Sequence, residues 1–217
     1  MSEKTKAQLL ADIEALQKRL AELQAPEAES SQKNGIFKKQ SCEQINRLNL
    51  ILQCIRKVNQ LIAHEKNRAA LIHKICDILT ETREYSTAWI MLLNDHGGFL
   101  DCAESGSGKG FSPLLKELKR NNFPACVRQA LLQPGPLEID DPSSTCADCP
   151  ITDKYPDKGR VIARLEYAEK IYGVLSVSYA AGTNANDEEL SLFEEVTGDI
   201  AFALHSNKLE ENIRQAR

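Results

Sequence analysis

The chain has 217 residues, 42% of them hydrophobic and 27% charged, with a formal net charge of −4. That balance suits a globular domain with helical extensions and excludes a disordered, fibrous or collagen-like chain. Acidic and basic residues are intermixed, which argues against a nucleic-acid surface. No run of about eighteen apolar residues offers a membrane span, and no apolar stretch at the start marks a secretory signal, so a cytoplasmic protein is expected.

In chain order, Leu9, Ile13, Leu16, Leu20 and Leu23 alternate spacings of four and three, predicting a short coiled-coil helix over 1–24 that needs a partner helix. From Gln24 to Gly35 the composition shifts to Ala, Pro, Glu and Ser, and residues 25–41 read as a flexible linker. Ile45, Leu48, Leu52, Ile55, Val58 and Ile62 continue a three-four stripe to about His64, and Leu71, Ile72, Ile75, Cys76 and Leu79 predict a second helix ending near Arg83. The period then changes. Ser86 to Leu93 predicts a strand, Asn94 to Gly98 a turn, and Phe99 to Glu104 its hairpin partner.

Gly106, Gly108 and Gly110 predict a loop, after which Ser112 and Pro113 suit the N-cap and first position of a helix reaching Arg120. A short helix over Pro124 to Leu132 and a strand over Leu137 to Ile139 precede a loop from Asp140 to Lys158, a length that is usually functional or tied down. Arg160 to Tyr167 and Lys170 to Tyr179 predict two strands joined by a tight turn at Ala168 and Glu169. Asn186, followed by Asp187, Glu188 and Glu189, predicts the start of a long last helix with an apolar stripe through Leu190, Phe193, Val196, Ile200, Ala203 and Leu204. Strand pairs joined by short turns make an α+β class with an antiparallel sheet.

Seven cysteines without an export signal predict reduced thiols, metal ligands or redox centres rather than structural disulfides. Cys54 and Cys76 fall on apolar helix stripes and predict core positions. Cys146 and Cys149 form a CxxC with Cys126 twenty residues earlier, a spacing that suits three ligands of a tetrahedral zinc, with Cys102, Asp148 or water as the fourth. The same thiols suit a redox-active dithiol, and inert loop cysteines are the third reading. On the strands, Trp89 and Met91 share one face, and strict alternation gives Tyr172, Val174, Ser176 and Ser178 another common face, the more polar one. Arg160 and Arg164 share a face of the preceding strand and suit an anionic group. The ligand-binding set expected from these positions is Trp89, Met91, Arg164, Tyr172 and Ser176. The four histidines are scattered without metal-like spacing. Gly106 to Gly110 lacks the spacing of a phosphate-binding loop, no Ser-His-Asp set is legible, and no kinase motif is present, so a non-enzymatic chain is expected.

The stretch Lys170-Ile-Tyr-Gly-Val-Leu-Ser-Val-Ser178, then Asp187-Glu-Glu-Leu190 and the helix closing on Ala-Phe-Ala-Leu204, resembles the ending of a GAF domain. Cys126 with Cys146-Ala-Asp-Cys-Pro150 is similar to GAF domains found between PAS modules and histidine kinase cores in bacterial sensors. The resemblance implies a GAF-like central antiparallel sheet with helices on one face, flanked by N- and C-terminal coiled-coil-type signalling helices. It covers a sensory domain over 42–207, with 208–217 as a signalling-helix extension. It also implies a small-molecule, metal or redox sensor that dimerises through its terminal helices and acts on an output kinase or other signalling domain. The cyclic-nucleotide set and the bilin Cys-His pair of other members are missing. A looser resemblance, to free methionine sulfoxide reductases, would make Cys126, Cys146 and Cys149 a nucleophile and its resolving thiols. A plain dimerisation scaffold is the remaining alternative.

Overall fold

A computed structural model describes residues 44–81, 85–141, 145–151, 159–179 and 185–216, together with Arg19 and Cys42. The chain divides into two compact units, 1–47 and 48–217. The expected coiled-coil helix over 1–24 and the linker over 25–41 lie outside the described residues, Arg19 apart.

In the second unit, helix α1 (48–64) and helix α2 (Arg68–Glu81) lead into a five-stranded sheet. The strands are β1 (Tyr85–Leu93), β2 (Phe99–Ser105), β3 (Leu137–Ile139), β4 (Arg160–Tyr167) and β5 (Lys170–Tyr179). Their order is β2-β1-β5-β4-β3, and every described pairing is antiparallel. Between β2 and β3 come a 3₁₀ turn (Gly108–Phe111), α3 (Ser112–Lys119) and α4 (Ala125–Leu132). The chain ends in α5 (Asp187–Gln215), which passes His205 without a break.

Local chemistry explains most of these boundaries. Asn186 caps α5 by accepting from the Glu189 N–H at 2.8 Å, and three carboxylates occupy its first turn. Asn67 does the same for α2 through the Ala70 N–H at 2.9 Å. Ala168 and Glu169 both take positive φ, 50° and 58°, as a two-residue hairpin requires even without glycine. Ser112 corrects one expectation: the 3₁₀ turn runs straight into α3, so Phe111 is the N-cap and Ser112 is already helical, with Pro113 in the first turn.

The sheet separates two apolar cores. On the helix face, Ala88, Ile90, Leu92, Val161, Ala163, Leu165, Leu175 and Val177 pack with Ile51, Ile55 and Val58 of α1, Ile72 and Ile75 of α2, and Phe193, Val196 and Ile200 of α5. On the loop face, Trp89, Met91, Ile162 and Val174 pack with Phe111, Leu114, Leu118, Val127, Ile139 and the cysteines of the 145–151 segment. The longer helices thus share one face, as expected, while the other face is roofed by the two short helices and the loop. At roughly 1.5–3 kcal/mol for each fully buried large aliphatic side chain, each core is a substantial part of the folding free energy.

One irregularity moves a residue between the cores. Across β4, Leu165 pairs with Gly173 but Glu166 pairs with Ile171, which leaves Tyr172 as a bulged residue. Gly173 lies so close to β1 that a Cβ would sit 1.9 Å from the Met91 carbonyl oxygen. The bulge turns Tyr172 away from Val174 and Ser176 and into the helix-face core.

Candidate functional site

The loop face carries the chemistry. Cys126 lies in the first turn of α4 and points into the loop-face core. Pro124 is the N-cap of this helix and has no side-chain acceptor, so the first N–H groups need a partner from elsewhere. Asp148 supplies it: one carboxylate oxygen accepts from the Ala125 N–H at 3.1 Å, and the other pairs with Arg128 Nη2 at 3.1 Å. Arg128 also donates to the Phe123 carbonyl. The knuckle carrying Asp148 is closed by the Cys149 N–H donating to the Cys146 carbonyl at 2.8 Å.

This clamp seats the Cys146 sulfur at the start of α4. There Cys126, through its thiol and its backbone N–H, is the neighbour that most favours the Cys146 thiolate. Beneath the pair, β4 presents Arg160, only 2% exposed, whose Nε reaches Ser178 Oγ at 3.4 Å. Among the described residues no group pairs with its buried Nη1. Donation from Cys126, the Arg160 charge and the helix N–H together hold the Cys146 thiol below its ordinary value, down to about 7, against the opposing effect of burial. Cys126 is pushed up, first because its proton is held in the bond to Cys146 and then by burial.

Among the described residues no group of three His, Cys, Asp or Glu side chains converges to hold a metal ion. The thiols expected to suit zinc, Cys126, Cys146 and Cys149, all lie in the loop-face core, and Asp148, one suggested fourth ligand, bridges Ala125 and Arg128. Cys102 is elsewhere, on β2, where Asp101 and Glu104 flank a thiol pushed up to about 12, mainly by burial. Its neighbour Cys76 on α2 is likewise raised, again mainly by burial.

Of the expected ligand-binding set, Trp89, Met91 and Ser176 lie on the loop face. Trp89 stacks at a tilt on Phe111 with ring centroids 6.0 Å apart. Ser176 is fully buried, and its hydroxyl has no partner among the described residues. Arg164 is paired with Glu166 at 2.5 Å. Tyr172 corrects the expected common face: its hydroxyl lies 2.6 Å from His205 Nδ1 of α5, on the other side of the sheet. There it borders a cleft of about 170 Å³, where Asp95 accepts from both Lys170 and Lys208 at 2.6 Å.

Sequence reasoning singled out Arg160 for an anion and Asp148 as a ligand, but it did not connect Arg160 with the thiols or Asp148 with α4, because those partners are far away in the chain. The Tyr172 reversal had a signal, since a glycine inside a strand often marks a bulge.

No family model and no curated protein matches the sequence. Solved structures do resemble it. The GAF domain of a phosphoenolpyruvate-protein phosphotransferase from Coxiella burnetii aligns with a TM-score of 0.57 at 13% identity, covering 77% of this chain and 99% of that one. The GAF domain of a putative sensor histidine kinase from Pseudomonas syringae pv. tomato gives 0.52 at 16% identity, covering 81% and 97%. The free methionine-R-sulfoxide reductase of Neisseria meningitidis, solved with its substrate, gives 0.56 at 10% identity, covering 74% and 91%. Strand order, the helices on one face and the roofed opposite face meet in one architecture, and the chain has the fold of a GAF domain.

Proposed function

We propose that the chain is a regulatory module of a signalling protein, receiving its input at the 145–151 segment on the loop face and delivering it through α5. The observation that carries this reading is the two-sidedness of β4. Arg160 on this strand lies beneath the thiol pair, while Val161, Ala163 and Leu165 of the same strand pack in the core that includes α5. A displacement beneath the thiols therefore moves a strand on which the output helix rests. Tyr172 and His205 add a second link from the sheet to that helix. Phe202, Leu209 and Ile213 are each about half exposed along α5 and suit a homodimeric helix pair next to an output kinase or other domain. The likeness to a sensor histidine kinase GAF domain supports the same reading.

Amide hydrogen exchange tests it. Modification of Cys146 by N-ethylmaleimide is expected to change protection along 193–215, and unchanged exchange there would refute transmission through α5. The dimer is checked by sedimentation, where the Ile213→Asp variant should shift the protein toward monomer. A second reading, a thiol-dependent reductase of free methionine sulfoxide, is favoured by the meeting of Cys126 and Cys146 and by one structural relative. It predicts turnover of that substrate with dithiothreitol, whereas the regulatory reading predicts none.

A further inference from the structure

We propose that Cys126 and Cys146, seated over the buried guanidinium of Arg160, form a hydroperoxide-reactive dithiol that closes into a disulfide between α4 and the loop, with Cys149 as a bystander. The proposal deepens the reading above, on which it rests for its effect on α5, by naming the chemical input.

Three features lead to it. The first is reach. Both thiols are buried in the loop-face core, and the Asp148 bridge to Ala125, the residue before Cys126, and to Arg128 holds the Cys146 loop against α4, so the fold brings the two sulfurs to one place. The second is charge. Arg160 is buried with a guanidinium nitrogen that has no partner among the described residues, and a cation so placed carries a large desolvation cost unless an anion neutralises it. The Cys146 thiolate is the anion the fold brings within range. The third is the division of labour in the CxxC. The Cys149 N–H closes the knuckle and the Cys149 side chain packs in the loop-face core, while Cys146 turns to Cys126.

Among the described residues, the groups that act on Cys146 are Cys126 from α4, Arg160 from β4 and Asp148 from its own segment. Arg160 favours the thiolate, Asp148 opposes it, and Cys126 can donate a proton to it. The Cys146 thiolate attacks a hydroperoxide oxygen; the S–O bond forms, the O–O bond breaks, and the alkoxide leaves as the alcohol after taking a proton. Cys126 sulfur then attacks the sulfenic sulfur; the S–S bond forms, the S–O bond breaks, and water leaves with the thiol proton. In sum, two thiols and one hydroperoxide give one disulfide, one alcohol and one water, with two electrons passing from sulfur to the peroxide. Since both thiols are buried, a small peroxide should react far faster than a bulky disulfide such as oxidised glutathione. Oxidation also removes the thiolate beside Arg160, whose buried Nη1 has no other partner among the described residues.

The test treats the reduced full chain with equimolar hydrogen peroxide and maps disulfides by peptide mass spectrometry. One Cys126–Cys146 bond per chain is expected, with unchanged yield in Cys149→Ser. The Cys126→Ser variant should stop at a dimedone-trapped sulfenic acid on Cys146, and Cys146→Ser should form no bond to Cys126. Removing the charge in Arg160→Met should slow the reaction by about tenfold or more, with the charge-retaining Arg160→Lys falling between the two. The proposal is overturned by a Cys146–Cys149 bond, by loss of the reaction in Cys149→Ser, or by Cys102 oxidising as fast as Cys146. If the disulfide forms while α5 exchange stays unchanged, the chemistry holds and the signalling reading fails. If no disulfide forms while maleimide on Cys146 still alters α5, the dithiol fails and the signalling reading holds.

Discussion

Two thiol neighbourhoods lie on this sheet. At its edge, Cys76 of α2 and Cys102 of β2 both point their sulfurs toward the Ala103 carbonyl, at 3.7 and 3.8 Å. Under the loop, Cys146 meets Cys126, the start of α4 and the Arg160 guanidinium. All four side chains are largely removed from water, yet the edge pair is held firmly protonated while Cys146 is drawn toward its thiolate. Burial works the same way in both places. What differs is the company: carboxylates and a carbonyl at the edge, hydrogen-bond donors and a cation under the loop. A cysteine's reactivity is thus set by the charge around the cavity it fills.

The largest effect should come from comparing the two neighbourhoods directly. At pH 7 a small maleimide should label Cys146 on the order of a hundredfold faster than Cys102, the greater thiolate fraction being partly offset by weaker intrinsic nucleophilicity. Cys146 labelling should be fully developed above about pH 7 and fall as the pH drops through it, because a lowered value means the thiolate is lost only there. Among the described residues, the groups that set this midpoint are Cys126, Arg160 and Asp148. Equal rates at Cys146 and Cys102, or a midpoint near that of an ordinary thiol, would break the contrast.

A smaller change should follow Asp148→Ala, which removes the acceptor at the start of α4 and the partner of Arg128. Unfolding in urea should show a loss of about 1 kcal/mol, the usual cost of a lost helix cap, together with slower Cys146 labelling and unaltered Cys102 labelling. If Cys102 slows equally, the clamp is not local to the loop. Smallest for the thiol chemistry is Cys76→Ala. A cavity at this fully buried site should cost about 1 kcal/mol and leave Cys146 labelling unchanged. A changed Cys146 rate would show that the two neighbourhoods are coupled through the sheet.

Much of the fold was legible because its determinants are local. The four-three stripe of α2, the Asn186 cap and the acidic turn of α5, and the bounds of β4 and β5 all follow from residues a few positions apart. The site was legible only in part. Alternation placed Trp89, Met91 and Ser176 on one face, but it failed at Tyr172, where the close approach of Gly173 to Met91 inserts a bulge and reverses the phase. Spacing drew attention to Cys126, Cys146 and Cys149, yet spacing says nothing of which sulfurs meet. Arg160 and Arg164 looked equivalent on one strand face. Glu166 pairs with Arg164, whereas Arg160 lies buried beside the thiols.

By itself the amino-acid order determined the elements, their antiparallel pairing by tight turns and the cysteine-bearing loop between β3 and β4, since each of these depends on periodicity, capping and turn conformation within a few residues. Only the tertiary structure decided that Asp148 caps a helix 23 residues away, that Cys146 takes Cys126 rather than Cys149 as its partner, and that a buried arginine lies beside them. Those outcomes depend on which groups are buried together, and burial is a property of the assembled sheet and its roof.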